Sequence, residues 1–522
     1  MARDNTPIQV VWLKRDLRTV DHRPLVEAAR CGPVLVLYVY EPSLIYSPEF
    51  HAAHLIFINE SLAELDRALG SLGGSLVRKV GEIPQVFAAL HREQPIHAIW
   101  SHQETGSDLT YSRDKRLAVW CRENAVPWTE FPQNGVKRCL HNRNGWATGW
   151  ARRMSETALE APHAMTFVHS IRSDGKITPA DFELAEPLGK PGAQRGGETA
   201  AWHTLDDFLT VRGVAYRKAM SSPVSAWESC SRLSPHLAWG TISLRAVWQQ
   251  TVARIGEMRA SGAAVDPRWF GSLRSFEGRL RWHCHFMQKL EDEPAIEFRN
   301  FSRACDGLRE ESMNTERFSA WQRGETGYPM VDACMRAVLA TGWINFRMRA
   351  MLASFSAYHL WQHWREPAVF LGRHFLDFEP GIHFSQFQMQ SGTTGINTIR
   401  IYSPIKQATD QDPDGIFIRQ WIPELARVPV CWLAEPHKIP PLLQKEIGCV
   451  IGRDYPAPVV DHLTAYREAK QRIHLARGGD LARTEAWRIQ EKHGSRKSGL
   501  QQEKKRQQKV KAQSERVQGE LF

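Results

Sequence analysis

The stretch "IQVVWLKRDLRTVDHRPLVEAARCGPVLVLYVY", residues 8–40, decides the fold at the start of the chain. Two short apolar runs, 8–13 and 33–40, are typical of buried strands, and the second is rich in β-branched residues. Between them, residues 22–31 have helical character, with a proline near the start. A strand, a helix and a second strand predict a parallel unit, because parallel strands need a crossover connection.

The same alternation continues beyond this unit. Residues 54–70 and 83–93 carry apolar side chains at helical spacing, and residues 75–80 and 96–101 are strand-like. Short strands alternating with helices predict an α/β domain with a doubly wound parallel sheet over residues 1–132. No G-x-G-x-x-G follows the first strand, so a dinucleotide site on this sheet is not expected.

The rest of the chain divides into three parts. Residues 133–200 are rich in turn formers and predict an interdomain linker. Residues 201–475 carry long helical patterns, such as the one at 328–364, and predict an all-α domain. Residues 476–522 form a basic tail with few aliphatic residues, which we expect to be disordered in isolation or helical only on a partner.

Composition fits a soluble two-domain protein, with 522 residues, 42% hydrophobic and 24% charged. The net charge of +10 favours an acidic partner, and nucleic acid is the first candidate. Residues 483–522 hold 11 basic and 5 acidic residues, so +6 of this charge is terminal. The tail has either an unknown binding partner or none.

The nine cysteines are scattered and none forms C-x-x-C, which argues against zinc ribbons and dithiol chemistry. Scattered cysteines, no signal-peptide core and no apolar run near about 18 residues predict a cytoplasmic protein without a membrane span. The "HCH" at 283–285 is not expected to bind a metal, because adjacent helical residues diverge by about 100°. We expect a monomer and no metal.

A second stretch, "HFLDFEPGIHFSQFQMQSG" at 374–392, places acids, histidines and phenylalanines around one Pro-Gly. Four further segments occur in a characteristic order: "VVWLKRDLRTVDHRPL" (10–25), "SRLSPHLAWGTIS" (231–243), "GETGYPMVDACMRAVLATGWINFRMR" (324–349) and "DPDGIFIRQWIPEL" (412–425). Together they resemble the photolyase/cryptochrome family over roughly residues 7–470. The resemblance implies an α/β domain joined by a linker to a helical domain that holds FAD in a folded form.

The resemblance also implies cofactor contacts. The 231–234 turn offers hydroxyl and N–H groups at a predicted helix N-terminus, which suits the FAD pyrophosphate, although ordinary helix caps would look the same. Arg349 and Asp377 resemble a buried pair beside the flavin, Glu379 an acceptor at its pyrimidine edge, and His383 the residue facing N5. The predicted cofactor residues are Tyr216, Ser231, Arg232, Leu233, Ser234, Phe276, Arg279, His283, Trp343, Phe346, Arg349, Asp377, Phe378, Glu379 and His383.

Lesion-facing and electron-transfer positions depart from the pattern of the repair enzymes. Phe387 and Met389 stand where those enzymes have two tryptophans, and Arg279 replaces a glutamate. The predicted lesion contacts are Trp282, Arg279, Asn345 and Met389, and the predicted electron-transfer residues are Trp364 and Trp361. The predicted catalytic set is Trp282, His383, Arg349 and Asp377.

These features predict an FAD-dependent, blue-light-driven photolyase that acts on pyrimidine dimers in UV-damaged DNA. The alternative is a cryptochrome-like photoreceptor with the same fold and FAD but no repair. A third reading, a flavin oxidoreductase active in the dark, lacks a recognisable nicotinamide site. The antenna chromophore is undetermined between a folate, a deazaflavin, a lumazine and an empty pocket.

Overall fold

The computed structural model describes residues 7–184, 189–261, 265–311 and 313–494. It confirms the predicted parallel sheet. The strands are β1 (Ile8–Leu13), β2 (Val34–Tyr40), β3 (Leu76–Val80), β4 (Ile96–His102) and β5 (Trp128–Phe131), in the spatial order β3-β2-β1-β4-β5. The helices between them are α1 (Arg23–Cys31), α2 (Pro42–Ile45), α3 (Ala52–Gly70), α4 (Ile83–Glu93) and α5 (Asp108–Glu123).

Both faces of the central strands β1 and β2 are buried, which explains why these two strands are almost entirely apolar. Val11 and Val36 pack into a cluster on one face, and Val10 and Leu35 pack into a second cluster on the other. Successive strand residues point to opposite faces, so a strand covered on both sides needs apolar residues at every position. The strand order changes direction between β1 and β4, which opens a cleft at their carboxyl ends.

The predicted linker is held against the sheet along part of its length. After α6 (Trp146–Ser155), the chain pairs with the start of β2: the Val34 N–H donates to the Thr166 carbonyl and the Val168 N–H to the Val34 carbonyl, at 2.8 and 3.0 Å. The division of the chain at residues 132, 200 and 475 stays a prediction.

The predicted helical domain is confirmed. Its helices are α7 (Glu198–Thr210), α8 (Tyr216–Ala219), α9 (Pro223–Ser229), α10 (Ser234–Ala238), α11 (Leu244–Ala260), α12 (Arg268–Asp292), α13 (Thr315–Arg323), α14 (Pro329–Thr341), α15 (Phe346–Ser354), α16 (Arg365–His374), α17 (Pro380–Ser391), α18 (Pro404–Gln411), α19 (Ile416–Trp421), α20 (Val430–Leu433), α21 (Pro441–Ile447), α22 (His462–Gly478) and α23 (Asp480–His493). Within the described ranges, no helix is long and apolar enough to cross a membrane.

The helical pattern at 328–364 is divided. Helix α14 ends at Thr341 and is followed by Gly342, which has φ +73°, a conformation that glycine adopts without steric cost. Asn345 then precedes α15, and residues 355–359 form a π-helical turn. This division turns α15 so that Arg349 reaches the segment between α16 and α17.

Part of the predicted tail is a helix. Helix α23 lies inside the predicted tail, yet Ile489 is 1% exposed and packs against Phe301. Glu293 at the end of α12 pairs with Lys492 at 3.1 Å and with His493 at 2.8 Å. Residues 480–493 are therefore a docked helix, and the prediction of disorder was wrong for them. For residues 495–522, the prediction of disorder lies outside the residues that the structure describes.

The two halves of the protein meet at residues 375–378. The Trp239 indole N–H donates to the Leu376 carbonyl at 2.9 Å, and Arg15 Nη1 donates to the Phe378 carbonyl at 2.7 Å. His54 Nε2 donates to the Phe375 carbonyl at 2.9 Å. Three carbonyl groups of one short segment are thus fixed by the sheet domain and by the turn around Trp239.

Gly240→Ala tests this meeting point. Gly240 has φ +67°, and an added Cβ would lie 2.0 Å from the Arg15 carbonyl oxygen. We expect a loss of about 2–5 kcal/mol in the free energy of unfolding, from the left-handed backbone and the clash together. Urea unfolding measures it. The control is Gly256→Ala in α11, where the added Cβ meets nothing within 4 Å. Gly256→Ala should stabilise the protein by about 0.5–1 kcal/mol. Equal effects of the two substitutions would contradict the conclusion that Gly240 packs closely against the Arg15 backbone.

Candidate functional site

A buried ion pair joins α15 to the 375–378 segment. Arg349 Nη1 and Nη2 donate to the two oxygens of Asp377 at 2.9 and 2.8 Å, and the Asp377 side chain is 4% exposed. Burial alone would raise the pKa of Asp377, but Arg349 and a hydrogen bond from Ser234 outweigh it and lower the pKa. Arg349 also stacks on Phe375, 4.0 Å from the ring centre. The pair is a fixed, ionised element of the site.

The turn at residues 231–234 lies beside this pair, and contacts of Arg232 hold its conformation. Arg232 has φ +59°, and its guanidinium carbon lies 4.0 Å from the Trp227 ring and 4.1 Å from the Trp343 ring. The Gln194 amide donates to the Arg232 carbonyl at 2.8 Å and accepts from Arg232 Nε at 3.1 Å. Leu233 is buried in the core beneath the turn. The turn therefore holds Ser234 against Asp377.

One face of α12 supplies further predicted residues. Phe276 is buried against Phe208, with ring centres 4.7 Å apart, and near Tyr216 at 5.9 Å. Arg279 bonds to the Tyr216 hydroxyl and lies 4.4 Å from the Trp282 ring. Trp282 is 47% exposed. The helix therefore has a buried aromatic cluster around Phe276 and, further along, the exposed indole of Trp282 with the Arg279 guanidinium against it.

A second ion pair, which sequence reasoning did not anticipate, joins α12 to α17. His283 Nε2 and Glu379 Oε2 are 2.7 Å apart, and both side chains are mostly buried. Burial would lower the pKa of His283, but Glu379 raises it to about 10, so the imidazole is cationic. The helices can approach this closely because residue 381 is glycine: an added Cβ there would lie 2.7 Å from the Met287 Cα.

His383 is neutral and enclosed by aromatic rings. Its Nε2 donates to the Ala368 carbonyl at 2.7 Å, and burial lowers its pKa to about 4. The rings of Phe378 and Phe387 lie 5.2 and 4.8 Å from it. Because Nε2 carries the proton, Nδ1 is a hydrogen-bond acceptor.

One further residue of the site has buried hydrogen-bonding groups that a ligand could satisfy. The side-chain amide of Gln386 on α17, three residues after His383, is buried, and neither its nitrogen nor its oxygen has a partner in the described parts of the chain. Buried amides are normally hydrogen-bonded, so this one fits a position where a bound molecule supplies the partners. The signal in the sequence was a polar residue among the phenylalanines of 374–392, whose role the residue types alone did not show.

Comparisons with known proteins bear on this geometry. The family model described as "DNA photolyase" matches residues 9–144, and the one described as "FAD binding domain of DNA photolyase" matches residues 276–475. The chain is 30% identical over 492 residues to the deoxyribodipyrimidine photo-lyase of Streptomyces griseus, a match that covers 91% of this chain and 100% of that protein. The chain belongs to the photolyase/cryptochrome family.

The relatives within the family include proteins named photolyases and proteins named cryptochromes. A cryptochrome DASH of Gloeobacter violaceus is 28% identical over 486 residues, covering 88% of this chain and 94% of that protein. The crystal structure of a bacterial class III photolyase from Agrobacterium tumefaciens has a TM-score of 0.79 and 26% identity, covering 91% of this chain and 98% of that one. FAD is the cofactor, because the model of the family's FAD-binding domain matches residues 276–475. The ionised Arg349–Asp377 pair, neutral His383 and unpartnered Gln386 fit such a polar ring system.

The predicted lesion residues differ in their burial and in their contacts. Asn345 is 2% exposed, and its amide nitrogen donates to the carbonyls of Met220 and Ser221 at 3.1 and 2.8 Å. It therefore holds the loop before α9 in place, while its side-chain oxygen has no partner among the described residues, and its predicted lesion contact stays a prediction. Phe346, the next residue, is 48% exposed, and Met389 is half-buried on α17.

The predicted electron-transfer residues also differ in their surroundings. Trp364 is 1% exposed and its indole donates to Asn300 Oδ1 at 2.8 Å. Trp361 is partly exposed, has φ +53°, and lies against Arg309 and Arg472.

A cavity of about 90 Å³ lies at the carboxyl ends of β1 and β2, and Trp239 and Phe378 are among the residues that line it. Arg113 at its wall pairs with Glu41 at 2.9 Å and Glu104 at 2.6 Å, and burial raises the pKa of Glu41 to about 7. Ligand pockets usually measure about 300–1,000 Å³. The cavity as it stands does not fit a multi-ring chromophore, and we assign no antenna.

A metal is not supported at the most suggestive cluster in the described residues. Asp16, His22 and His102 are buried together, with His22 Nε2 and His102 Nδ1 3.0 and 2.7 Å from Asp16 Oδ2. His22 Nδ1 accepts from the Leu25 N–H, so its Nε2 carries a proton and cannot bind a metal. The "HCH" residues likewise diverge, since His283 pairs with Glu379 and His285 lies near Trp146.

His283→Gln tests the second ion pair through pH. The pKa of His283 in the folded protein, about 10, lies above its ordinary value of 6.5. Its contribution to stability is therefore fully present below pH 6.5 and is lost as the pH rises through 10. The difference in unfolding free energy between wild type and variant should be largest near pH 6 and shrink toward pH 10.

Urea unfolding at several pH values measures this difference. The control is His163→Gln, which removes one partner of an exposed pair with Glu160. It should change stability by less than about 0.5 kcal/mol at every pH. A difference for His283→Gln that does not vary with pH would show that the imidazole is not held cationic by Glu379.

Proposed function

We propose that this protein is an FAD-dependent, blue-light-driven DNA photolyase that repairs UV-induced pyrimidine dimers. The observation that carries the proposal is Trp282, an exposed indole with Arg279 stacked on it, on the helix whose buried face lines the candidate flavin site. An exposed aromatic ring beside a cation suits a base flipped out of the helix, which stacks on the ring while its phosphates meet positive charge.

The proposed roles follow from the geometry. When bound and reduced, FAD supplies under blue light the electron that splits the dimer and then recovers it, so the reaction is redox-neutral. Arg349 provides a fixed positive charge and Asp377 keeps it in place. His383 offers Nδ1 as an acceptor and stays neutral above about pH 4 because burial lowers its pKa. Phe378 and Phe387 exclude water around it.

The alternative is a photoreceptor without repair, and one observation favours it. Glu379, which was predicted to accept from the flavin edge, is instead paired with His283. This pair changes the surroundings of the flavin relative to the pattern expected of a repair enzyme. The relatives include both photolyases and cryptochromes, so a measurement of repair activity is needed to choose between the two functions.

A repair assay decides between the two. The FAD-loaded protein is reduced chemically without oxygen and illuminated with blue light in the presence of oligonucleotides that contain one cyclobutane dimer or one (6-4) product. Both single- and double-stranded forms are used, with dark controls. We expect light-dependent reversal of one lesion. No reversal of either lesion in either strand form, with the flavin still reduced, would reject the photolyase proposal in favour of the photoreceptor.

Trp282→Ala tests the lesion contact. Base–aromatic stacking contributes about 1–3 kcal/mol per base, so affinity for damaged single-stranded DNA should fall by roughly 5- to 150-fold. Fluorescence anisotropy measures the affinity. The matched control is Tyr111→Ala in α5, an equally exposed ring with Lys115 stacked 4.1 Å from its centre. Equal losses in both variants would indicate general surface binding.

Asp377→Asn tests the cofactor contact. Arg349 would lose its buried counter-charge, and breaking such a pair costs about 3–5 kcal/mol. We expect FAD affinity at least about tenfold weaker, read as bound flavin per chain after gel filtration and by titration of the apoprotein. The control is Glu424→Gln, which alters the more exposed pair with Arg336. Full flavin retention in the Asp377 variant would show that the Arg349–Asp377 pair does not contribute to FAD binding.

A further inference from the structure

A second cavity lies in the helical half, between the start of α13, the π-helical turn at 355–359 and α22, and we call it the α13–α22 cleft. Its volume is about 440 Å³, within the range of about 300–1,000 Å³ that is usual for ligand pockets. One wall is apolar and consists of Leu360, Val460, Ala465 and Ala469. The cleft shares no residue with the candidate flavin site or with the predicted lesion contacts.

A buried histidine in the wall of the cleft has a nitrogen without a partner. His359 is 3% exposed, and its Nδ1 has no hydrogen bond within the described ranges of the chain. Its Nε2 lies 2.8 Å from His462 Nδ1, and Phe355 stacks on the ring at 4.9 Å between centres. Buried polar atoms are normally hydrogen-bonded. A molecule in the cleft would supply the partner that Nδ1 lacks.

A hydrogen-bonded relay lets His359 meet that molecule as a donor or as an acceptor. His462 Nε2 lies 3.2 Å from the Ser403 hydroxyl, which can donate or accept. If Ser403 donates, His462 donates through Nδ1 and His359 carries its proton on Nδ1. If Ser403 accepts, the protons are on Nε2 of both rings and His359 Nδ1 is an acceptor. Burial lowers the pKa of His359 to about 3, so the ring is neutral in both arrangements.

The charged residues of the cleft leave one cation uncommitted. Arg317 is exposed near the start of α13, and its guanidinium has no ion-pair partner in the parts of the chain that the structure describes. The two carboxylates of the wall are engaged elsewhere: Asp461 accepts from the Thr464 N–H at 2.8 Å, and Glu468 pairs with Arg472 at 3.3 Å. A free guanidinium fork matches the oxygens of a carboxylate or a phosphate.

Trp361 provides a fixed aromatic wall. Its φ of +53° is left-handed, a conformation that is sterically costly for a residue with a Cβ. The guanidinium carbons of Arg309 and Arg472 lie 4.5 and 4.9 Å from its ring centre and hold the indole in place. Strain of this kind persists only where the surroundings enforce it, and it is concentrated at functional sites. The indole is therefore positioned to pack against a flat ring.

We propose that the α13–α22 cleft binds a small organic oxyanion, a phosphate ester or a carboxylate that is carried on a flat ring. The oxyanion pairs with Arg317, the ring packs between Trp361 and the apolar wall, and a polar atom of the ligand bonds to His359 Nδ1. This site goes beyond the proposed function, because it lies apart from the flavin and lesion positions.

Isothermal titration calorimetry with matched probes tests the site. The FAD-loaded, full-length protein is used, so that the flavin site is occupied. Adenosine 5′-monophosphate is compared with adenosine, and 2-naphthoate with 2-naphthamide, since each pair differs in its oxyanion. We expect at least one of the two anions to bind with a Kd below about 1 mM, and its neutral counterpart to bind at least about tenfold more weakly. Which anion binds more tightly distinguishes a phosphate ester from a carboxylate.

Inorganic phosphate tests the contribution of the ring. Because it offers the charge without a ring to pack against Trp361, it should bind at least about tenfold more weakly than the ring-bearing anion. Inorganic phosphate that binds as tightly as that anion would overturn the proposed ligand class.

Two substitutions locate the binding. Arg317→Gln removes the uncommitted cation and should weaken the binding of the anion by about tenfold or more. Ala465→Phe fills the cleft from α22 and should weaken it at least as much. The matched control is Arg323→Gln, an exposed arginine on the same helix that pairs with Glu325 outside the cleft. It should stay within about twofold of wild type, as should Trp282→Ala at the lesion position. Bound flavin per chain verifies that each variant is folded.

The results that would overturn the inference are distinct from those that bear on repair. Equal affinity for the charged and neutral members of both pairs, no binding of either anion, or unchanged affinity in Arg317→Gln would each reject the site. Arg317→Gln should leave light-dependent repair unchanged. Absence of repair in the wild type, with the anion still bound, would therefore reject only the proposed function.

Discussion

The ion pair between Arg349 and Asp377 is the interaction on which the site depends. A buried carboxylate is stable only next to a cation that is held in place, and the two residues lie on different elements. The structure fixes both. Arg349 also donates through Nε to the Ile344 carbonyl at 2.8 Å, and the segment around Asp377 is held by Trp239 and Arg15. The contact between the two halves of the protein therefore positions a charge in the helical half.

The other charged groups of the site follow the same principle. Arg232 lies between two indoles, and burial lowers its pKa to about 10 without neutralising it. His283 is cationic because Glu379 is adjacent. His383 has a backbone carbonyl as its partner in place of a carboxylate, and it is neutral. Burial lowers the pKa of Arg232 and of His383, and Glu379 raises that of His283, so each protonation state depends on tertiary packing.

This dependence explains what could be predicted from the sequence. The sheet was predictable because each strand and helix carries its own periodicity, and the Arg349–Asp377 pair followed from a family resemblance. The contact between His283 and Glu379 joins residues on two helices far apart in the chain, so no local pattern indicates it. The docking of α23 depends on Glu293, nearly 200 residues earlier, and was missed for the same reason.

The tryptophans show the limit of reasoning from residue type. Trp361 and Trp364 are chemically identical and close in the sequence, so composition and resemblance treat them alike. Their partners are not alike: two guanidinium groups flank one, and an amide linked to two carboxylates contacts the other. The ease of removing an electron from an indole depends on the charges around it. An electron route in this family must therefore be inferred from what each ring contacts, and a count of aromatic residues does not determine it.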